Sequence, residues 1–547
     1  MPNGAELFVQ VAARLGLDPI FTLVGDHLNE VLAAAARAGM RVVDMRHESG
    51  VTHAADAWAR IHRRPALSLV TGGPGHTNSL TGIATANLAG SPLIAVSGSR
   101  ARGLADRQAF QDIDQVAMTR PVVKWAAEVP SAGEIPFYLR RAYTEANSAR
   151  RGAVHLTIPV DVFTGMAAFT GNGADTAVRT GGPGTALPCP DLKPATELLR
   201  AAKRPVVIAG SGVWWSGAEQ ALREFIERTQ IPLYTITMAR GTVPDDHPLS
   251  MGYADPALNY AVHTVFREAD LFLVVGKRID YRLALGGARL FPAEAKFIQI
   301  DIHPQELGMN RALDAAVCGD ARAALDGIPD AGPPRTEWLQ RVRELRAAWT
   351  ARLEAAQADA AVFFRALREA LPQDVLFSWD GGDFAHWGRA LLPALHAGGW
   401  LRLGPLGTIG SSLPNAIALQ LAHPARRVVA ITGDGALGFY LAEMDTAARF
   451  KLPIVLIVGN DAGWGLEREL QSWGTGGAPT VACELQAARY DLVMKAFGGD
   501  GETIERPEEV RPALQRALGS RVPYCLNVRI RGARSPFTEW QIAGKKR

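Results

Sequence analysis

The sequence predicts an α/β protein of three domains, each with a mainly parallel sheet flanked by helices. Three observations lead there. The chain has 547 residues, more than one hydrophobic core serves, so about three to four domains are expected. Short unbroken apolar runs ending in Gly or Asp recur along it, separated by helix-like stretches, as strands buried on both faces of a parallel sheet require. Two aperiodic Gly/Pro-rich stretches, residues 168–192 and 328–336, interrupt that alternation.

The elements follow in order. Residues 1–167 form the first domain, with strands in "RVVDMR", "ALSLVTG", "SPLIAVSG" and "RRGAVHLTIPVDVF" and a helix over 49–62. A linker spans 168–192. The central domain, 193–328, has strands in "RPVVIAGSG", "ADLFLVVG" and "AKFIQIDI". A linker and helix occupy 329–360. The last domain, 361–547, repeats the pattern in "VLFSWDGG", "RRVVAITGDG", "LPIVLIVGND" and "PYCLNVRI". In such sheets ligands bind beyond the carboxyl ends of the strands, so the loops after these runs are where chemistry is sought.

Composition excludes several classes. With 58 basic and 55 acidic residues the formal net charge is +3, and there is no long basic run; a nucleic-acid partner is not expected. No stretch of 18 apolar residues exists, so no membrane span is expected. The four cysteines, Cys189, Cys318, Cys483 and Cys525, have neither disulfide nor metal spacing, and the N-terminus reads as an amphipathic helix. A cytoplasmic protein with reduced thiols is the expectation.

Two turns carry the first chemical signal. Gly433-Asp434-Gly435-Ala436 ends one apolar run, and Gly459-Asn460-Asp461-Ala462-Gly463 ends the next. A strand–helix–strand unit of this length makes the strands neighbours, so Asp434 and Asp461 should stand side by side. A helix starting near Leu437 would direct its N-terminus there, a phosphate-binding arrangement, and paired hard oxygens suit Mg²⁺. Ordinary loops with helix-capping aspartates are the alternative. Gly210-Ser-Gly212 gives a weak dinucleotide signal, since the third glycine of that pattern is misplaced.

A GDG turn followed about 27 residues later by an Asn-Asn/Asp pair resembles the signature of thiamine-diphosphate enzymes. The resemblance extends domain by domain over nearly the whole chain. It implies Asp434 and Asp461 as side-chain Mg²⁺ ligands, the Gly463 carbonyl as a third, and Asn460 at the first asparagine of the pair; most relatives carry Asn where this chain has Asp461. "RHESGVTHAADAWAR" is similar to the segment carrying the family's glutamate, so Glu48 would hydrogen-bond the cofactor's pyrimidine ring. Gly72, Gly73, Pro74, Gly75 and Asn78 would approach that ring. Gly382, Asp383 and Gly407 would line the diphosphate side, Ile409 would bend the cofactor, and Trp464 would sit over its reactive carbon.

"AFQDIDQVAMTRPVVKWA" resembles acetolactate synthases, benzaldehyde lyase and 2-hydroxyacyl-CoA lyases, which would set Phe110 and Gln111 facing that carbon, with Gln111 on a substrate oxygen. His27 stands where benzaldehyde lyase has a histidine and would shuttle a proton; Glu467 would act on a substrate hydroxyl. The implied activity is that of a thiamine-diphosphate-dependent lyase or carboligase on 2-hydroxy carbonyl compounds, whose small-molecule substrate is free or an acyl-CoA. The alternatives are an acetolactate-synthase-like carboligase of 2-oxo acids, a non-catalytic subunit of this fold, and an NAD-dependent dehydrogenase resting only on Gly210-Ser-Gly212. The family also implies a homodimer or homotetramer with its site across two subunits. "VVGKRIDYRL" resembles segments that bind an adenine nucleotide, FAD or ADP, in some relatives and nothing in others.

Overall fold

A computed structural model describes residues 1–167, 191–329 and 331–545. The expected linker through residue 190, together with Cys189, lies outside the described residues. Three six-stranded sheets are present, and every strand pair in them is parallel. The first contains β1 (Ile20–Thr22), β2 (Val42–Asp44), β3 (Ala66–Val70), β4 (Leu93–Ser99), β5 (Trp125–Glu128) and β6 (Val154–Pro159), in the order β2-β1-β3-β4-β6-β5. The central sheet contains β7 (Pro205–Ala209), β8 (Leu233–Thr235), β9 (Ser250–Tyr253), β10 (Leu271–Val275), β11 (Lys296–Asp301) and β12 (Ala315–Cys318), ordered β12-β11-β10-β7-β8-β9. The third contains β13 (Leu376–Trp379), β14 (Trp400–Arg402), β15 (Val428–Gly433), β16 (Val455–Asn460), β17 (Asp500–Ile504) and β18 (Tyr524–Arg529), ordered β14-β13-β15-β16-β18-β17.

The outer sheets therefore share one topology, and the loops after their third strands, β3 and β15, occupy equivalent places. Those loops are Gly72–Gly75 and Gly433–Ala436. The central sheet follows the doubly wound order 3-2-1-4-5-6, which reverses between β7 and β10. The apolar runs explain the burial: β3, β4, β6, β7 and β10 are buried along their whole lengths.

The first and third domains also pack on one another. Helix Glu48–His62 lies against helix Ser412–Ala422. Arg60 Nη1 donates to the Arg402 carbonyl at 2.8 Å. The Glu443 carboxylate is fully buried and accepts the Arg46 N–H at 3.2 Å. Burial pushes its pKa up to about 7 against the hydrogen bonds it receives.

Helix Thr336–Glu354, in the segment expected as linker and helix, packs on the central domain. Trp338 Nε1 donates to the Pro205 carbonyl at 2.9 Å, and Arg346 Nη2 donates to the Asp245 carbonyl at 2.8 Å.

Candidate active site

The glycine loop after β3 organises the first half of the site. Gly73 has φ +61°, ψ −116°, a conformation that favours glycine. Its N–H donates to Gln115 Oε1 at 3.1 Å, and Gln115 Nε2 donates to the Gly98 carbonyl at 3.1 Å. Helix Pro74–Ala89 starts directly after. Asn78 on its first turns donates through Nδ2 to Glu48 Oε2 at 3.0 Å, and Glu48 is the first residue of helix Glu48–His62. Gln111, with φ +60°, lies against Gly73, where a Cβ would come within 2.8 Å of Gln111 Cβ. Glu48, Gly72, Gly73, Pro74, Gly75, Asn78 and Gln111 thus form one surface.

His27 departs from its expected role. It is 9% exposed, its Nδ1 bonds Thr71 Oγ1 at 2.8 Å and accepts the Gly72 N–H at 3.3 Å. Burial holds its pKa below the usual range, and its Nδ1 ties the ring to the glycine loop. Gln115 was not foreseen; a glutamine four residues beyond Gln111 was the only signal.

The second half of the site rests on β15 and β16. Gly433 pairs with Gly459 across the two strands, so Asp434 and Asp461 stand together as expected. The helix starts at Asp434, three residues before the expected point. Asp434 Oδ2 accepts the Gly463 N–H at 3.0 Å. Burial, reinforced by the negative charge of Asp461, pushes Asp434 up to about 7, and burial also raises Asp461 against the pull of Arg468. Two buried carboxylates that resist ionising together are the donor set a hard divalent cation relieves. No hydrogen bond among the described residues reaches the Gly463 carbonyl oxygen. Around the pair, Gly382 (φ +83°) and Gly407 (φ +80°) border open space. The Trp464 indole covers Gly435, where a Cβ would meet ring carbon Cε3 at 2.8 Å. Ile409 packs over Gly381. Thiamine diphosphate with Mg²⁺ fits these residues: Asp434, Asp461 and the Gly463 carbonyl could hold the metal, and Gly382, Gly407, Gly433, Gly435 and Ala436 could admit the diphosphate.

Asp383 has a second set of partners. It was expected on the diphosphate side, but its Oδ1 accepts the Ser535 N–H at 2.8 Å and the Thr538 hydroxyl at 2.7 Å. It anchors the C-terminal segment, including helix Pro536–Lys545. Asn460 also serves the scaffold, since its Nδ2 donates to the Ala488 carbonyl and to Asn527 Oδ1 at 2.9 and 3.0 Å. The neighbouring Asp380 has the structural task here. It is fully buried, accepts the Gly410 N–H on both oxygens at 2.9 Å and the Thr432 hydroxyl at 3.1 Å. Burial brings it up to about 6. Glu467 is exposed on helix Gly465–Gly474.

Three family descriptions match the chain: "Thiamine pyrophosphate enzyme, N-terminal TPP binding domain" over residues 2–118, the central domain over 192–328, and the "C-terminal TPP binding domain" over 380–528. A probable acetolactate synthase of Mycobacterium bovis is 35% identical over 533 residues, covering 95% of this chain and 94% of the relative. The chain belongs to the thiamine pyrophosphate enzyme family. Other relatives within it include a 2-hydroxyacyl-CoA lyase of Oryza sativa subsp. japonica, 32% identical over 96% of this chain and 95% of the relative. An oxalyl-CoA decarboxylase of Escherichia coli is also 32% identical, over 96% and 95%. The relatives named are synthases, lyases and decarboxylases, so the family is one of enzymes. The N-terminal TPP-binding match includes Glu48, and the C-terminal one includes Asp434 and Asp461. No helix among the described residues is long and apolar enough to cross a membrane.

The thiamine pyrophosphate enzyme's central domain encloses a cavity of about 660 Å³ against its neighbours. It lies at the turn in strand order, beside Gly212 and Gly276, where a Cβ on Gly212 would come within 2.5 Å of Gly276 Cα. This approach accounts for the glycines of Gly210-Ser-Gly212.

Proposed function

We propose that this protein is a Mg²⁺-dependent lyase or carboligase acting on 2-hydroxy carbonyl compounds, of the kind of a 2-hydroxyacyl-CoA lyase or benzaldehyde lyase. The observation that carries the proposal is that Asp434 and Asp461 stand together just beyond the ends of adjacent strands, with Glu48 presented separately beside Asn78. Thiamine diphosphate, when bound, supplies a carbon nucleophile and an electron sink for making or breaking a bond next to a carbonyl.

The chain's own residues do the rest. Asp434, Asp461 and the Gly463 carbonyl hold the metal. Glu48, oriented by Asn78, holds a proton at a carboxylate oxygen facing the pyrimidine ring. The Gln111 amide bonds a substrate oxygen, and Glu467 exchanges a proton with the substrate hydroxyl. Trp464 and Ile409 exclude water from the reacting centre.

The site lies between two copies in a homodimer or homotetramer. Phe110 is 81% exposed beside Gln111, and Phe439 is 56% exposed beside Trp464; large apolar side chains flanking both half-sites call for cover by another chain. A cytoplasmic setting keeps the free thiols Cys318, Cys483 and Cys525 reduced. An adenine nucleotide, FAD or ADP, is no part of the proposal, since neither the domain descriptions nor the relatives' names call for one.

An acetolactate-synthase-like joining of 2-oxo acids is the second reading, favoured by the 35% identity to the probable acetolactate synthase. Parallel incubation of the cofactor-loaded protein with pyruvate, benzoin and a 2-hydroxyacyl-CoA, with mass analysis of the products, tests both. Cleavage of benzoin or the acyl-CoA supports the first reading, coupling of pyruvate the second, and no turnover of any would refute both.

A further inference from the structure

Asp461 brings a second carboxylate beside Asp434, from the turn that ends the neighbouring strand. One cation in reach answers it. Arg468, on the first turn of helix Gly465–Gly474, places Nη1 at 3.4 Å from Asp461 Oδ2. Its Nε and Nη2 donate to the two Glu484 oxygens at 3.0 and 3.1 Å. The guanidinium lies against Gly463, where any Cβ would overlap it. It also comes near Gly532, where a Cβ would lie 2.9 Å from Asp461 Oδ2 and 3.2 Å from Arg468 Nη1. The segment it ties down is the one that pairs with the turn: Trp464 N–H donates to the Cys483 carbonyl at 2.8 Å, and Leu485 N–H donates to the Ala462 carbonyl at 2.8 Å.

The two carboxylates that Arg468 meets differ in their surroundings. The Glu484 side chain is 70% exposed, whereas that of Asp461 is 10% exposed. Water screens the first, so the guanidinium charge acts mainly on the second. A planar fork held by Glu484 is fixed in place, which a lysine ammonium would not be.

We propose that Arg468 is a positioning residue and counterion for Asp461: it occupies Oδ2, leaves Oδ1 for the metal, and offsets the extra charge that would otherwise repel a diphosphate. This rests on the functional reading above and deepens it by naming what makes two carboxylates tolerable at one metal–diphosphate turn.

The test is a double-variant cycle read by calorimetry on the full chain. Thiamine diphosphate is titrated at fixed Mg²⁺, then Mg²⁺ at fixed cofactor, into wild type, Arg468→Met, Asp461→Asn and the double variant. Arg468→Met should weaken cofactor binding at least tenfold in the wild-type background and less than threefold when Asp461 is already Asn. Arg468→Lys should restore part of the loss. An equal loss from Arg468→Met in both backgrounds would mean a structural role only and overturn the proposal, as would no loss in either. A wild type that binds no thiamine diphosphate would instead overturn the functional reading itself.

Discussion

The Tyr440 hydroxyl donates to Ser49 Oγ at 2.9 Å, joining the segment just beyond Asp434 to the first turn of the helix that begins at Glu48. One chain thus locks its two half-sites into a fixed relation through their flanks. No hydrogen bond among the described residues joins Glu48 to Asp434 or Asp461 directly. Four consequences of the structure can be measured.

Glu48→Gln keeps the shape of the side chain and the contact to Asn78 while removing the acid. Thiamine diphosphate affinity should change by less than about threefold, while turnover falls by roughly 10²–10⁴-fold, the range for losing a positioned acid or base. Calorimetry and steady-state kinetics on the same preparation check this. Unchanged turnover would remove Glu48 from the chemistry.

The Asp434–Asp461 pair makes metal-free stability depend on pH. The folded-state pKa of Asp434, about 7, lies above its unfolded value, so its contribution is fully present below about pH 4 and is lost as pH rises through 7. Thermal midpoints in a chelator should therefore fall across that window. Adding Mg²⁺ and thiamine diphosphate should raise the midpoint more at pH 8 than at pH 5. An equal rise at both would contradict the assignment of the pair as metal ligands.

Glu443 has the same sign in another place. Its pKa of about 7 when folded contributes on the order of 3 kcal/mol at low pH that is lost as pH rises from about 4.5 through 7. A Gln at this position keeps an acceptor for the Arg46 N–H without the charge. Glu443→Gln should flatten the midpoint-against-pH curve between pH 5 and 8, and should be the more stable protein at pH 8.

Arg389 and Arg402 are both buried, and neither side chain has a hydrogen bond or ion pair among the described residues. Burial, aided by Arg402, brings Arg389 down to about 9, and burial with the nearby Arg282 lowers Arg402. Asp255 is the nearby carboxylate and is paired with Arg282 at 2.6 Å. Replacing buried ionised pairs with well-packed apolar side chains of similar volume is neutral or stabilising by about 1–4 kcal/mol, and a buried charge without a close partner has the same sign. Arg389→Met should raise the thermal midpoint; a fall would show the charge to be compensated.

Much of the site was legible because its signals are local. The Gly433–Ala436 and Asn460–Gly463 turns each follow an unbroken apolar strand, and a strand–helix–strand unit leaves few alternatives to placing the strands side by side. The short strands β1, β5, β8, β9, β12, β14 and β17 were not foreseen, because a three- to five-residue strand has few apolar positions to show a pattern. Asp383 and Asp380 illustrate the other limit. In "WDGGDF" both are aspartates beside glycine, and only the fold turns Asp383 toward Ser535 and Asp380 toward Gly410.

The sequence by itself determined the three sheets, the meeting of Asp434 with Asp461, and the position of Glu48 at a helix start, since apolar periodicity and glycine turns act over a few residues. Tertiary structure decided what remains: that His27 is a buttress, that Gln115 holds the glycine loop, and that Arg468 faces Asp461. Each of those assignments depends on which distant group fills a side chain's hydrogen bonds, and a buried polar atom takes the partner that packing supplies.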